Sequence, residues 1–239
     1  MKKSQLLIDQ GNSFIKFGIS TDDGFVYVSK VKTIEELFEK KMEKPEIVWI
    51  SSVSEKKQFF KLKDSIDMHW GSAINNVTIS QYKKYLPTQY NEEQLGIDRW
   101  LAMLACKKKF MKNDCMVIDA GTAITIDLLN KDGSHVGGFI LPGLHLSKKA
   151  ILDGTAIKVS QNEKELKIDL GLNTIDAIGN GSLMAVISLI EKISNRYGKN
   201  LSIALGGGDC DILSESLSIP NTIIRDIVLE GLHCLASDT

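Results

Sequence analysis

The chain of 239 residues carries 29 basic and 30 acidic side chains, a net charge of -1, with 43% hydrophobic and 25% charged residues. That composition excludes a disordered chain and offers no electrostatic argument for binding nucleic acid or an anionic membrane. The cysteines at 106, 115, 210 and 234 form no CxxC pair, and the histidines at 69, 135, 145 and 233 lack metal-ligand spacing, so reduced thiols and no structural zinc are expected. The length suits two halves of about 110–120 residues. The apolar stretch in MKKSQLLID is too short for a signal or a membrane span, and a cytoplasmic protein is expected.

In chain order, LLIDQGNSFIKF at 6–17 reads as a buried strand, an Asp-x-Gly turn at Asp9 and Gly11, and a second strand. Asp23-Gly24 follows as a hairpin turn. A helix is predicted over 34–44, a strand over PEIVWISSV at 45–53, and a helix over 55–66. Leu95 to Trp100 leads into a helix over 98–112, where Lys107, Lys108 and Lys109 suit a helix C-terminus. MVIDAGTAITID at 116–127 then repeats the opening segment. At an offset of 110, Asp9 meets Asp119, Gly11 meets Gly121, and Asn12 and Ser13 fall on Thr122 and Ala123. Asp132-Gly133 answers Asp23-Gly24. Gly137 to Gly143 (GGFILPG) stands between a strand and a helix over 144–153, and close approach of its backbone to a ligand or to another segment explains its glycines equally well. Further helices are predicted over 174–196, 209–216 and 226–236, with a strand in LSIALGGG at 201–208. The repeat indicates an internal duplication and α/β halves, 1–115 and 116–239, packed in three layers with no Pro/Ser-rich linker.

No GxxxxGK[ST], no GxGxxG after a strand and no kinase catalytic-loop pattern occurs, which leaves the repeated turns and the glycine run at 206–208 as phosphate-handling candidates. In the first turn Asp9 can hold magnesium, the amides and side chains of Gly11 to Ser13 can donate to phosphate oxygens, and Lys16 can add a positive charge. A plain β-turn with a solvated lysine is the simpler alternative. In the second, strand alternation puts 119, 121, 123, 125 and 127 on one face. Two carboxylates there need a cation or hydrogen-bond donors, unless Asp127 is an exposed strand-end residue. Asp98 is placed to cap the helix that follows, or to take a hydroxyl proton, with Arg99 beside it able to bind a carboxylate through two hydrogen bonds.

Seven segments in order resemble the type III pantothenate kinases, of the actin/hexokinase-like phosphotransferase superfamily. They are DxGNSxxK at 9–16, GxDRW at 96–100, DxGTAxTxD at 119–127, GGxIxPG at 137–143, Thr155-Ala156, TxxAIxxG at 174–181 and GGD at 207–209. The resemblance implies two duplicated ribonuclease-H-like domains with a cleft between them, Asp9 and Asp119 on its opposing walls and Asp98 at its mouth. It implies transfer of the γ-phosphate of ATP, with Mg2+, to the terminal hydroxyl of pantothenate, the first step toward coenzyme A. By matching position, Asp98 resembles the general base. Gly96, Ile97, Asp98 and Arg99 resemble the substrate loop, with Arg99 on the pantothenate carboxylate and Tyr90 as the nearest match to a substrate-contacting tyrosine. Asp9, Gln10, Gly11, Asn12, Ser13, Phe14, Ile15 and Lys16 resemble the ATP phosphate loop, and Thr122 a second nucleotide contact. Asp119 resembles the ligand of a potassium or ammonium ion. Thr174 resembles a substrate contact supplied by the partner in a homodimer. Another acceptor such as a sugar, or a regulatory protein that keeps the fold, are the competing readings.

Overall fold

The computed structural model describes residues 5–21, 24–40, 42–157, 166–198 and 200–238. Asp23, half of the expected first hairpin turn, lies outside them. The chain divides into two compact units, Met1–Lys109 with Asp226–Thr239, and Phe110–Arg225.

The first unit opens with an antiparallel meander, β1 (Gln5–Gln10), β2 (Ile15–Thr21) and β3 (Gly24–Val31). After α1 (Ile34–Phe38), strand β4 (Ile47–Ser52) runs parallel to β1. After α2 (Lys56–Trp70), strand β5 (Ala73–Asn76) runs parallel to β4, giving the order β3-β2-β1-β4-β5. Then come α3 (Ile79–Tyr82) and α4 (Ile97–Lys109). Leu6, Ile8, Ile15, Phe17, Val48 and Ile50 alternate onto one face and pack with Leu37, Leu62 and Ile66.

Two helices differ in length from the sequence expectation. α1 covers five residues instead of 34–44, because only Ile34 and Leu37 supply a buried stripe and Pro45 forbids helix approaching β4. α2 runs past 66, because Leu62, Ile66 and Trp70 continue an i, i+4, i+8 stripe until Gly71 ends it with left-handed φ 57.

The second unit repeats the plan. Strands β6 (Cys115–Ala120), β7 (Ala123–Leu129) and β8 (His135–Pro142) form the meander. Helices α5 (Leu144–Asp153) and α6 (Thr174–Tyr197) lead to β9 (Ser202–Gly206), parallel to β6. Helix α7 (Cys210–Ser216) leads to β10 (Thr222–Ile223), parallel to β9. The order β10-β9-β6-β7-β8 is the first sheet's order again, read from the other end. The segment 137–142 belongs to β8 itself, an edge strand, where glycine and a final proline are tolerated. α6 has the length and apolarity to cross a membrane. Its Leu183, Val186, Ile187 and Ile190 are buried against Met116, Ile118, Ile124 and Ile126 of the sheet.

The last helix, α8 (Ile227–Ser237), follows β10 but packs on α4, β1 and β2. The compact units therefore part after Lys109 and again before Asp226, where the sequence suggests one division at 115/116. Eight residues of α8 are buried, including Val228, Leu229, Leu232 and Leu235, and that apolar surface needs the free face of the first sheet.

Candidate active site

Antiparallel register decides what stands beside each strand-end aspartate. In the first hairpin Asp9 has Lys16 as its neighbour on β2 and Ser51 as its neighbour on β4. The Ser51 hydroxyl donates to Asp9 Oδ1 at 3.0 Å. Lys16 Nζ lies 3.4 Å from Asp226 Oδ1 at the start of α8, so the lysine is paired and not simply solvated. The tip closes with Gly11 N–H donating to the Phe14 carbonyl at 3.0 Å, and it leaves Asn12, Ser13 and Phe14 exposed. Gln10 turns to the opposite face, accepting from Ser52 Oγ at 2.9 Å and donating to the Gln58 carbonyl at 3.4 Å. Its side chain braces β4 and α2, and Ile15 is core. Residues 10–15, with Lys32, Thr33 and Lys61, line a cavity of about 250 Å³.

Asp98 lies inside the first turn of α4, because the Trp100 N–H donates to the Gly96 carbonyl at 3.1 Å. Its Oδ1 accepts from the Arg99 N–H at 2.8 Å. A Cβ added at Gly96 would overlap that same Oδ1, so glycine at 96 is what lets the carboxylate fold back over the loop. Trp100 is fully buried and anchors the turn. Arg99 is 6% exposed, with its guanidinium carbon 5.3 Å from the centre of the Tyr90 ring. Arg99 and Tyr90, predicted separately, are thus brought together. Gly96 and Ile97 line a cavity of about 600 Å³ with Ser52 to Ser54 and Asn76 to Ser80, at the carboxyl ends of β4 and β5. Open α/β sheets receive ligands at that edge.

In the second hairpin Asp119 has Thr125 as its neighbour on β7 and Gly206 on β9. The tip is one residue shorter than the first: Ala120 pairs with Ile124, where Gln10 pairs with Ile15. The repeat offset therefore falls from 110 to 109 across the turn, and the structural counterpart of Lys16 is Thr125. The glycines around this turn meet protein. A Cβ at Gly207, whose φ is +85, would overlap the Ala120 backbone, and one at Gly143 would overlap the Gly121 and Thr122 carbonyls. Asp209 N–H donates to the Ala120 carbonyl at 3.0 Å, and burial pushes its carboxyl up, with His145 pulling the other way. Thr122 is exposed at the tip.

Asp127 is buried and not an exposed strand-end residue. It shares the face of Asp119 across the hairpin, is 2% exposed, and lies 3.0 Å from His135 Nε2. Gly138 makes room for it, since a Cβ there would overlap Asp127 Oδ1. Thr174 begins α6 behind its cap Asn173, whose side chain accepts from the Asp176 N–H at 3.0 Å. It lines a groove of about 960 Å³ with Leu141, Ile151, Leu172 and Ile178. The sequence reading missed Ser51 and Asp226; the Ser51-Ser52 pair closing an otherwise apolar strand was the signal for the first.

Residues 5–196 match the model of the type III pantothenate kinases. The chain belongs to that family. A type III pantothenate kinase of Nitrosococcus oceani is 30% identical over 98% of this chain and 94% of its own length. One of Psychrobacter arcticus is 29% identical over 95% and 96%. Among solved structures, a Baf family protein from Campylobacter jejuni superposes with a TM-score of 0.62 at 24% identity over 98% of both chains. The ethanolamine utilization protein EutJ from Carboxydothermus hydrogenoformans gives 0.51 at 12% identity over 98% and 89%. These likenesses show the fold, an α/β frame with two five-stranded sheets of the same strand order. A kinase of this fold works on ATP with a divalent cation. Among the described residues no cluster of three or more His, Cys, Asp or Glu could hold a metal unaided. Magnesium needs only one or two carboxylates and takes its other oxygens from water and phosphate. Asp9 is partly exposed and its carboxylate accepts from the Ser51 hydroxyl, so a carboxylate suited to such an ion is present.

Proposed function

We propose that Asp98 is the general base in the ATP-dependent phosphorylation of pantothenate to 4′-phosphopantothenate, the first step of coenzyme A synthesis. The observation that carries this reading is the Asp98 carboxylate lying over Gly96, with Gly96 and Ile97 at the wall of the cavity that ends β4 and β5. The pantothenate hydroxyl oxygen attacks the γ-phosphorus, the bond from that phosphorus to the β,γ-bridging oxygen breaks, ADP leaves, and the hydroxyl proton passes to Asp98. Phosphoryl transfer depends mainly on positioning and charge neutralisation. The amides of Asn12 and Ser13 and the Lys16 ammonium hold ATP phosphates, with Thr122 a second contact, and Asp9 holds the divalent cation. That cation, when bound, neutralises phosphate charge.

Arg99 binds the pantothenate carboxylate. Its burial against Tyr90 supports this role, because a desolvated guanidinium held in one orientation gains more from a bidentate partner. Asp119 holds a potassium or ammonium ion. Its cross-strand neighbour is the Thr125 hydroxyl, which fits an oxygen-coordinated monovalent cation. Thr174 reaches the substrate of the partner subunit in a homodimer, a reading supported by the apolar groove it lines and by Leu172, 97% exposed beside it.

The test is incubation with ATP, magnesium, potassium and pantothenate, with mass detection of the phosphorylated product, run beside a panel of other alcohols and beside Asp98→Asn. Phosphorylated pantothenate is expected, and Asp98→Asn should lower kcat by about 10²–10⁴-fold with KM nearly unchanged. Unaltered turnover removes Asp98 from the base role, and preference for another alcohol removes pantothenate.

A further inference from the structure

Ser52 ends β4, and Ser54 follows two residues on. Ser52 is the parallel neighbour of Gln10 on β1, and its hydroxyl donates to Gln10 Oε1 at 2.9 Å. The orientation of that amide is fixed, because Gln10 Nε2 donates to the Gln58 carbonyl at 3.4 Å and a carbonyl can only accept. A hydroxyl has one proton and two lone pairs, and in Ser52 all three are committed. The proton goes to Gln10, and the oxygen stands 3.3 Å from the Ser54 N–H and 2.8 Å from Ser54 Oγ. Ser54 must therefore be the donor in the 2.8 Å contact. Its hydroxyl has no second proton to offer, and it makes no other hydrogen bond among the described residues. What remains on it is a pair of acceptor sites. Ser54 lines the cavity of about 600 Å³ that Gly96 and Ile97 also line.

We propose that Ser54 is a specificity-determining residue that accepts a hydrogen bond from the acceptor substrate, and that Gln10, acting through Ser52, fixes this polarity. The inference rests on the reading of this cavity as the acceptor site. An unconstrained serine rotates its proton to suit a donor or an acceptor. Ser54 does so only by giving up its bond to Ser52, whose own proton is held by the buried Gln10 amide. The chain thus selects an alcohol that carries an N–H or a second O–H besides the hydroxyl to be phosphorylated. Pantothenate carries both, an amide N–H and a secondary hydroxyl. A ketone or an ester oxygen in the same place would set lone pairs against lone pairs and be rejected. Ser52 and Gln10 act here as positioning residues.

The experiment measures kcat and KM of the full chain with pantothenate and with two analogues, one bearing a ketone in place of the secondary hydroxyl and one an ester oxygen in place of the amide N–H. The parent should lose about tenfold or more in kcat/KM with one of them. Ser54→Ala removes the acceptor. Its KM for pantothenate should rise about three- to tenfold, with kcat and the KM for ATP within about twofold of the parent's, and the gap between pantothenate and that analogue should narrow to under about threefold. Ser52→Ala keeps the Ser54 hydroxyl and frees its proton to turn into the cavity, so the gap should narrow there too, which a merely structural serine would not cause. The melting temperatures of both variants should stay close to the parent's. A parent that uses both analogues as well as pantothenate overturns the inference, as does a gap of the parent's size in either variant. A parent that leaves pantothenate unphosphorylated removes the acceptor reading of the cavity and the inference with it. Pantothenate phosphorylated with discrimination unaltered by the variants overturns the inference alone.

Discussion

Across from the strand-end aspartate stands Lys16 in the first hairpin and Thr125 in the second. Two residues deeper, the first sheet has Gly18 opposite Leu7, and the second has Asp127 opposite Val117. The third strands bring in Phe25 and His135 at matching register, opposite Ser20 and Leu129. The Phe25 ring fills the space that a Cβ on Gly18 would need. His135 instead hydrogen-bonds Asp127, and Gly138 supplies the room. The same strand order thus tolerates an apolar plug or a buried polar pair, because apolar alternation on the core face decides the fold. What has diverged is charge. The first hairpin has an ammonium-bearing residue opposite its aspartate, whereas the second places a hydroxyl there, and the role proposed above for Asp119 would supply the positive charge from solution.

The largest effect should come from exchanging the deeper pairs. Asp127→Gly leaves His135 buried without its carboxylate and should cost about 3 kcal/mol in urea unfolding. Adding His135→Phe recreates the first hairpin's solution and should restore most of that loss, since a buried pair replaced by packed apolar groups is often neutral. If the double variant is no more stable than the single, the two deep sites are not equivalent. A smaller effect is expected from Thr125→Lys, which gives the second hairpin the first one's ammonium. On the role proposed for Asp119, stimulation of turnover by potassium should then fall to under about twofold, with activity retained in its absence. Stimulation of the parent's size in that variant breaks the contrast between the hairpins.

Much of this was legible before any coordinates. The Asp-x-Gly repeat gave both hairpins, and even the shorter second tip shows in the sequence, since Asp9 and Asp119 lie 110 apart but Asp23 and Asp132 lie 109 apart. The GxDRW segment gave the start of α4. Less legible were partners distant in the chain. Nothing near Lys16 announces Asp226, 210 positions later, and α8 is apolar on too many sides for its pattern to say which sheet it covers. The Asp127–His135 pair was hidden because the register shift between Leu128 and Leu129 sets which β8 side chain lies alongside. The stretch 34–44 is charge-rich and has too few apolar positions to hold a helix of that length against the sheet.

The division of labour between the hairpins is tested most directly by titrating turnover with potassium and with magnesium in Asp119→Asn and Asp9→Asn side by side. The expected result is that Asp119→Asn abolishes stimulation by potassium or ammonium and leaves the magnesium midpoint within about twofold of the parent's, while Asp9→Asn does the reverse. Potassium stimulation that survives in Asp119→Asn, or midpoints that move together in both variants, would contradict it.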